Sequence, residues 1–151
     1  MRILLTGIDG YCGWPLALSI SKKYPKCQII GVDNLSRRKW VKDSNSDSAI
    51  TIQSMQRRLR VAKKFGFNNI KFIKGDLSIV KFTEKLFKKY DFDIIIHCAS
   101  QPSAPYANSN LKKAIFTLKN NNISLLNILW SMKKFGKSNL KLINTSTTGV
   151  Y

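Results

Sequence analysis

The chain has 151 residues, with 26 basic against 8 acidic side chains and a formal charge of +18. That length predicts one domain by the prior of ~100–200 residues per domain, large enough for a real core. At 44% apolar and 23% charged it is globular rather than disordered, no apolar run approaches the ~18–20 residues of a membrane span, and MRILLTG turns polar too early for a signal peptide.

The first element is a strand over Arg2–Thr6, an apolar run ended by Gly7, followed by a helix over Trp14–Lys23. Gln28–Asp33 is the second strand, and the polar stretch Leu35–Ser48 reads as a loop. Ala49–Phe65 is the clearest helix: Ile52, Met55, Leu59, Ala62 and Phe65 line one face, as an amphipathic helix requires, with Ser48 or Asp47 as its cap. Ile70–Lys74 is the third strand. A helix over Ser78–Tyr90 follows, with Glu84 and Lys88 placed for an i,i+4 pair. Asp93–Cys98 holds three consecutive isoleucines, the pattern of a strand covered on both faces. After a loop over Ala99–Ser109, a long helix runs from Asn110 to Phe135, closed by Gly136, and Leu140–Asn144 is the fifth strand. Strands alternating with helices predict right-handed crossovers and an α/β doubly wound parallel sheet, a Rossmann fold of strand order 3-2-1-4-5.

Directly after the first strand comes Gly7-Ile8-Asp9-Gly10-Tyr11-Cys12-Gly13. The first glycine permits a tight turn, the second lets backbone approach a pyrophosphate, and the third lets helix pack on strand. The helix start supplies free N–H donors and the positive end of a dipole. Asp33 ends the next strand, where an acid holds the ribose hydroxyls of a dinucleotide. Its carboxylate favours NAD and repels the 2′-phosphate of NADP, whereas Arg37 and Arg38 carry forks that clamp such a phosphate. Asp76, after the third strand, either reaches an adenine amino group or caps the next helix.

Cys12, Cys27 and Cys98 are odd in number, form no Cys-x-x-Cys, and stand with a single histidine. They predict neither a disulfide framework nor a metal site, and a reducing cytosol as the location. Of the 26 cations 20 are Lys, scattered as pairs over different helices. This reads as a solvated coat without a specific nucleic-acid partner, since such a site clusters Arg and aromatics on one face.

The spacing of the glycines, Asp33, Gly75-Asp76-Leu77, the strand end His97–Ser100 and the strand end Thr145–Tyr151 resembles the extended short-chain dehydrogenase/reductases. Those are NAD(P)-dependent epimerases and dehydratases of nucleotide sugars. Within them, Asp9–Trp14 (DGYCGW), Asp33–Arg38 (DNLSRR), Ser103–Tyr106 (SAPY) and Asn120-Asn121 are similar to the UDP-sulfoquinovose synthases, which join sulfite to UDP-glucose using a tightly held NAD. Where that family carries an arginine directly before the serine, this chain has Pro102.

The resemblance implies roles. Gly7, Asp9, Gly10, Tyr11, Cys12 and Gly13 wrap the pyrophosphate. Asp33, Asn34 and Arg37 hold the adenosine ribose, and Asp76 and Leu77 meet adenine. Cys98, Ala99 and Ser100 line the nicotinamide ribose, and Asn121 projects toward the cofactor from the long helix. Thr147 carries the catalytic hydroxyl that bonds the reacting sugar oxygen, unless it is a plain turn threonine among Thr145, Ser146 and Thr148. Gln101, Ser103 and Tyr106, in the loop after the fourth strand, are candidates for the substrate side, and His97 belongs to the strand rather than to catalysis. The resemblance further implies a UDP-sugar substrate, oxidation at its C4 by recycled NAD, and a homodimeric parent with no membrane association.

The family's proton-transfer pair is a Tyr with a Lys four residues later, and no tyrosine here has one. The sequence stops just after the fifth strand. The expectation is therefore a cofactor-binding half, residues 1–151, lacking the substrate domain and inactive alone. Three readings stay open beside it: a non-catalytic NAD-binding module, another nucleotide-sugar epimerase or dehydratase, and a basic nucleic-acid partner whose binding would weaken steeply with salt.

Overall fold

Leu4 and Leu5 are adjacent on the first strand, both fully buried, and face opposite sides of the sheet. Side chains alternate along a strand, so two such neighbours require a sheet covered on both faces. A computed structural model describes residues 1–146 and shows that arrangement. In chain order the elements are β1 (Arg2–Thr6), α1 (Gly13–Lys23), β2 (Gln28–Asp33), α2 (Ser36–Asp43), α3 (Met55–Lys64), β3 (Ile70–Lys74), α4 (Val80–Lys89), β4 (Ile94–His97), α5 (Ala104–Ala107), α6 (Leu111–Phe135) and β5 (Lys141–Asn144). The five strands pair in parallel in the order β3-β2-β1-β4-β5, as expected.

One face carries Ile3, Leu5, Ile29 and Ile96 against Ala17 of α1 and Met55 of α3. The other carries Leu4, Ile30, Val32 and Ile95 against Leu86 and Phe87 of α4 and Ile128 of α6. The order reverses between β1 and β4, where parallel sheets of this kind open a crevice at their carboxyl edge. The outer side of α6 leaves Leu111, Ile115, Leu118, Leu126 and Leu129 exposed.

Several elements differ from expectation, each for a tertiary reason. The third helix starts at Met55 rather than Ala49, and its cap is Ser54, whose hydroxyl accepts the Arg57 amide at 3.2 Å. Neither Ser48 nor Asp47 caps it. The segment before it is irregular, with the carbonyls of Ile52 and Gln53 accepting from Arg38. Phe65, expected on the core face, is three-quarters exposed. The stretch expected as a loop contains α2, which is pinned by Trp40 packing on Tyr106 and edge-on to Phe116. The loop after β4 contains the single turn α5. Glu84 pairs with Lys134 of α6 at 3.0 Å rather than with Lys88.

His97 lies in β4, buried, with Nδ1 2.8 Å from Thr6 Oγ1 on β1. The Thr6 hydroxyl accepts the amides of Cys98 and Ala99, so its one proton goes to Nδ1 and the imidazole is neutral with its proton on Nε2. Burial pushes the imidazole down from the ordinary 6.5 to about 4. The unfolded chain therefore binds the proton first. Stability from this site is complete above pH 6.5 and is lost as the pH falls toward 4, by up to about 3 kcal/mol. In urea titrations across that window His97→Asn, which accepts the Thr6 proton without titrating, is expected to flatten the slope; an unchanged slope would assign the acid sensitivity elsewhere.

Candidate nucleotide site

At the carboxyl edge of the sheet lies a cleft of about 370 Å³. Its floor is the glycine-rich turn between β1 and α1. Gly7 takes φ +71°, a left-handed conformation that a side chain disfavours. A Cβ on it would stand 2.6 Å from the Cys98 carbonyl oxygen. A Cβ on Gly13 would stand 2.1 Å from the Gly7 carbonyl oxygen. The helix therefore begins in direct backbone contact with the turn. Cys12 caps it without a side-chain hydrogen bond, and its first turn has no acid. Among the described residues the amides of Tyr11, Cys12 and Gly13 meet no acceptor. Three unpaired donors at a helix start make a place for an anion.

The wall opposite is acidic. Asp33 lines the cleft at the end of β2. Its Oδ1 accepts the Leu35 amide at 2.6 Å and its Oδ2 accepts the Asp9 amide at 2.9 Å. Burial pushes its carboxyl up from the ordinary value, against the pull of those two bonds. Each oxygen keeps a lone pair for a ligand hydroxyl. Asn34 donates to Asp76 Oδ2 at 3.2 Å. Asp76 Oδ1 accepts the amide and hydroxyl of Ser78, so it shapes the turn before α4 while also lining the cleft; it does not cap α4, whose cap position is Ile79, without a side-chain hydrogen bond. Cys98, Ala99 and Ser100 form the third side, and burial pushes the Cys98 thiol up.

Of the residues assigned to the cofactor, Gly7, Gly10, Tyr11, Cys12, Gly13, Asp33, Asn34, Arg37, Asp76, Leu77, Cys98, Ala99 and Ser100 line this cleft together. Asp9 and Asn121 do not. Asp9 turns inward, 2% exposed, and its carboxylate takes Arg38 and Arg58 at 2.8 Å each. Asn121 uses both ends of its amide on one backbone residue, accepting the Gln101 amide at 2.8 Å and donating to the Gln101 carbonyl at 3.0 Å. Its neighbour Asn120 lines the cleft instead.

The three substrate-side candidates also face elsewhere. Gln101 is buried, with Oε1 accepting the Ser103 amide. Ser103 caps α5 by accepting the Tyr106 amide. Tyr106 is buried against Trp40. Together they brace the loop. Thr147 lies outside the described residues. Trp40, Ser124, Thr145 and Ser146 line the cleft without having been assigned to it, as does Pro102, which the sequence marked only as a departure from the resembled family. Only their position after a strand or on an inner helix face offered a signal. Among the described residues no three His, Cys, Asp or Glu side chains are grouped to hold a metal, and no helix is long and apolar enough to cross a membrane.

A family model described as GDP-mannose 4,6 dehydratase matches residues 4–151. UDP-sulfoquinovose synthase of Sulfolobus acidocaldarius is 36% identical over the whole of this chain, which covers 38% of that relative. The chloroplastic UDP-sulfoquinovose synthase of Spinacia oleracea is 36% identical over 99% of the chain, which covers 30% of it. The chain thus spans about a third of the length of these relatives. A crystal structure of UDP-glucose 4-epimerase from Bifidobacterium longum, in complex with NAD+ and UDP, superposes with a TM-score of 0.74 at 23% identity, over all of this chain and 38% of that one.

The glycine contacts set a graded expectation. Gly13→Ala drives a methyl into backbone that cannot yield and is expected to cost at least about 1–3 kcal/mol. Gly10→Ala, whose Cβ would stand 3.1 Å from the Gly7 oxygen, costs less. Urea denaturation of the two variants compares them; equal losses would show that the turn relaxes around Gly13.

Proposed function

The chain belongs to the GDP-mannose 4,6 dehydratase family, and on that premise we propose that it is the NAD-binding part of a nucleotide-sugar-modifying enzyme of the UDP-sulfoquinovose synthase type. The observation that carries the cofactor assignment is the pairing of three free amides at the start of α1 with the Asp33 carboxylate across one cleft. The amides suit a diphosphate. Asp33, with Asn34 and Arg37, suits the two hydroxyls of an adenosine ribose, and Asp76 and Leu77 would meet adenine. Cys98, Ala99 and Ser100 line the opposite end, toward nicotinamide. NAD, when bound, supplies a hydride acceptor that the reaction regenerates. The residues of this chain hold it, orient it and exclude water from it.

The substrate under this reading is a UDP-sugar oxidised at C4, in keeping with the relatives' names. Thr147, four residues before Tyr151, is the hydroxyl that meets the sugar. Thr147→Ala in a protein of the relatives' full length is expected to lower kcat at least tenfold, about 1.4 kcal/mol of barrier, with NAD affinity unchanged. Unchanged turnover would return Thr147 to the status of a turn residue. Within these 151 residues no Tyr is followed by a Lys at +4, and under this reading the chain by itself is expected to bind without turnover. The exposed apolar stripe on α6 supports association of two copies in the parent, and the three free cysteines go with a reducing, cytoplasmic setting.

Titration with both nucleotides tests the assignment. NAD is expected to bind, weakly, and more tightly than NADP, with no absorbance gained at the reduced-nicotinamide band when UDP-glucose is added. Tighter NADP binding would overturn the choice of cofactor, and turnover by the chain alone would overturn the division of labour.

A further inference from the structure

Arg38 follows Arg37 on α2, one residue from the cleft, yet its guanidinium turns away from it. Nε donates to Asp9 Oδ2 at 2.9 Å and Nη2 to Asp9 Oδ1 at 2.8 Å, a bidentate fork. Nη2 also donates to the Gln53 carbonyl at 2.9 Å and Nη1 to that of Ile52 at 3.4 Å. Every nitrogen of the group is engaged. Arg58 of α3 donates to the same Asp9 Oδ1 at 2.8 Å, and its guanidinium lies over the Trp14 ring, 4.4 Å from the centroid. One buried carboxylate thus gathers two arginines. The Asp9 amide in turn donates to Asp33 Oδ2, so the acid that collects the arginines and the acid that faces the cleft are neighbouring links of one network.

We propose that Asp9 sets nucleotide selectivity: it holds the guanidinium groups of Arg38 and Arg58 in its own ion pairs and out of the cleft, leaving the Asp33 carboxylate to reject a ribose 2′-phosphate and accept a free 2′-hydroxyl. This rests on the NAD reading above. Of the arginines around the strand end, Arg37 lines the cleft, whereas Arg38 and Arg58 are held by the competing carboxylate. Four of the five N–H donors of Arg38 are already taken, and turning it outward would leave Asp9 buried with less compensation. Asp9 acts through the arginines without touching the ligand, and is therefore a positioning residue.

Ligand-observed NMR with 5′-AMP and adenosine 2′,5′-bisphosphate reads the effect on this chain, down to weak affinities. The unsubstituted chain is expected to prefer 5′-AMP. Asp9→Asn is expected to reduce that preference at least tenfold, and Arg38→Met added to Asp9→Asn to restore it. A merely structural role for Asp9 would weaken both ligands alike. An unchanged preference in folded Asp9→Asn overturns the proposal while the NAD reading stands. Failure of both nucleotides to bind the unsubstituted chain overturns the NAD reading, and the proposal with it. Because Asp9→Asn is a buried change, phenylglyoxal labelling of the unsubstituted chain gives a second measure: Arg37 is expected to react at least tenfold faster than Arg38 and Arg58, and equal rates for Arg37 and Arg38 overturn the withdrawal.

Discussion

Gly13 lies so close to the Gly7 carbonyl that no side chain fits between them, and the cleft follows from that contact. It packs the start of α1 directly on the glycine-rich turn that leaves β1, beside the cleft that Tyr11, Cys12 and Gly13 line. Gly7 makes the same demand on the other side, where its Cα faces the Cys98 backbone. The turn is therefore wedged between β1 and the chain leaving β4, where the strand order reverses. Around it, Thr6 ties β1 to His97 and to the Cys98 and Ala99 amides, and Asp33 ties β2 to the Asp9 amide. A ligand in the cleft meets a surface already fixed by backbone contacts and short hydrogen bonds, and little ordering is left for binding to impose.

The fold was legible because its signals are local and redundant. Buried parallel strands announce themselves as apolar runs such as Ile94–Ile96, and the glycine turn between β1 and α1 has both a spacing and a place. What was illegible depends on partners distant in sequence. Helix α2 is mostly polar and has no fully buried residue; the half-buried Trp40 against Tyr106 and Phe116 and Arg38 on Asp9 anchor it. The stretch before Ser54 has helical periodicity, but Arg38 claims its carbonyls. Glu84 had one lysine a turn away and found another across the helix pair.

The charge balance shows how the acids are used. Lysines outnumber acids heavily, yet six of the eight acids stand in defined networks: Asp9 with two arginines, Asp33 and Asp76 in turns at the cleft, Glu84 between helices, and Asp91 and Asp93 on Lys137 below β4. Exposed pairs such as Glu84 with Lys134 contribute little. The Asp9 cluster is different in kind, because its members are largely buried and its removal would leave charge without compensation.

The candidate site divides along the same line. Backbone-defined positions, the glycines and the strand-end residues, reached the cleft wherever the motif placed them, because the strand end itself dictates where they lie. Positions whose role depends on side-chain direction did not follow so reliably. Asn120 and Asn121 are adjacent on α6, about 100° apart around the helix axis, and the sequence Asn-Asn-Asn carries no mark of which one faces the cleft. Asp9 and Asp33 are both acids beside the nucleotide turn, but Asp33 ends a strand whose register aims it upward, whereas Asp9 sits in the turn with two arginines behind it. The same motif letter thus faces the cleft in one place and turns inward in the other, and the arginines of α2 and α3, far along the chain, hold it there.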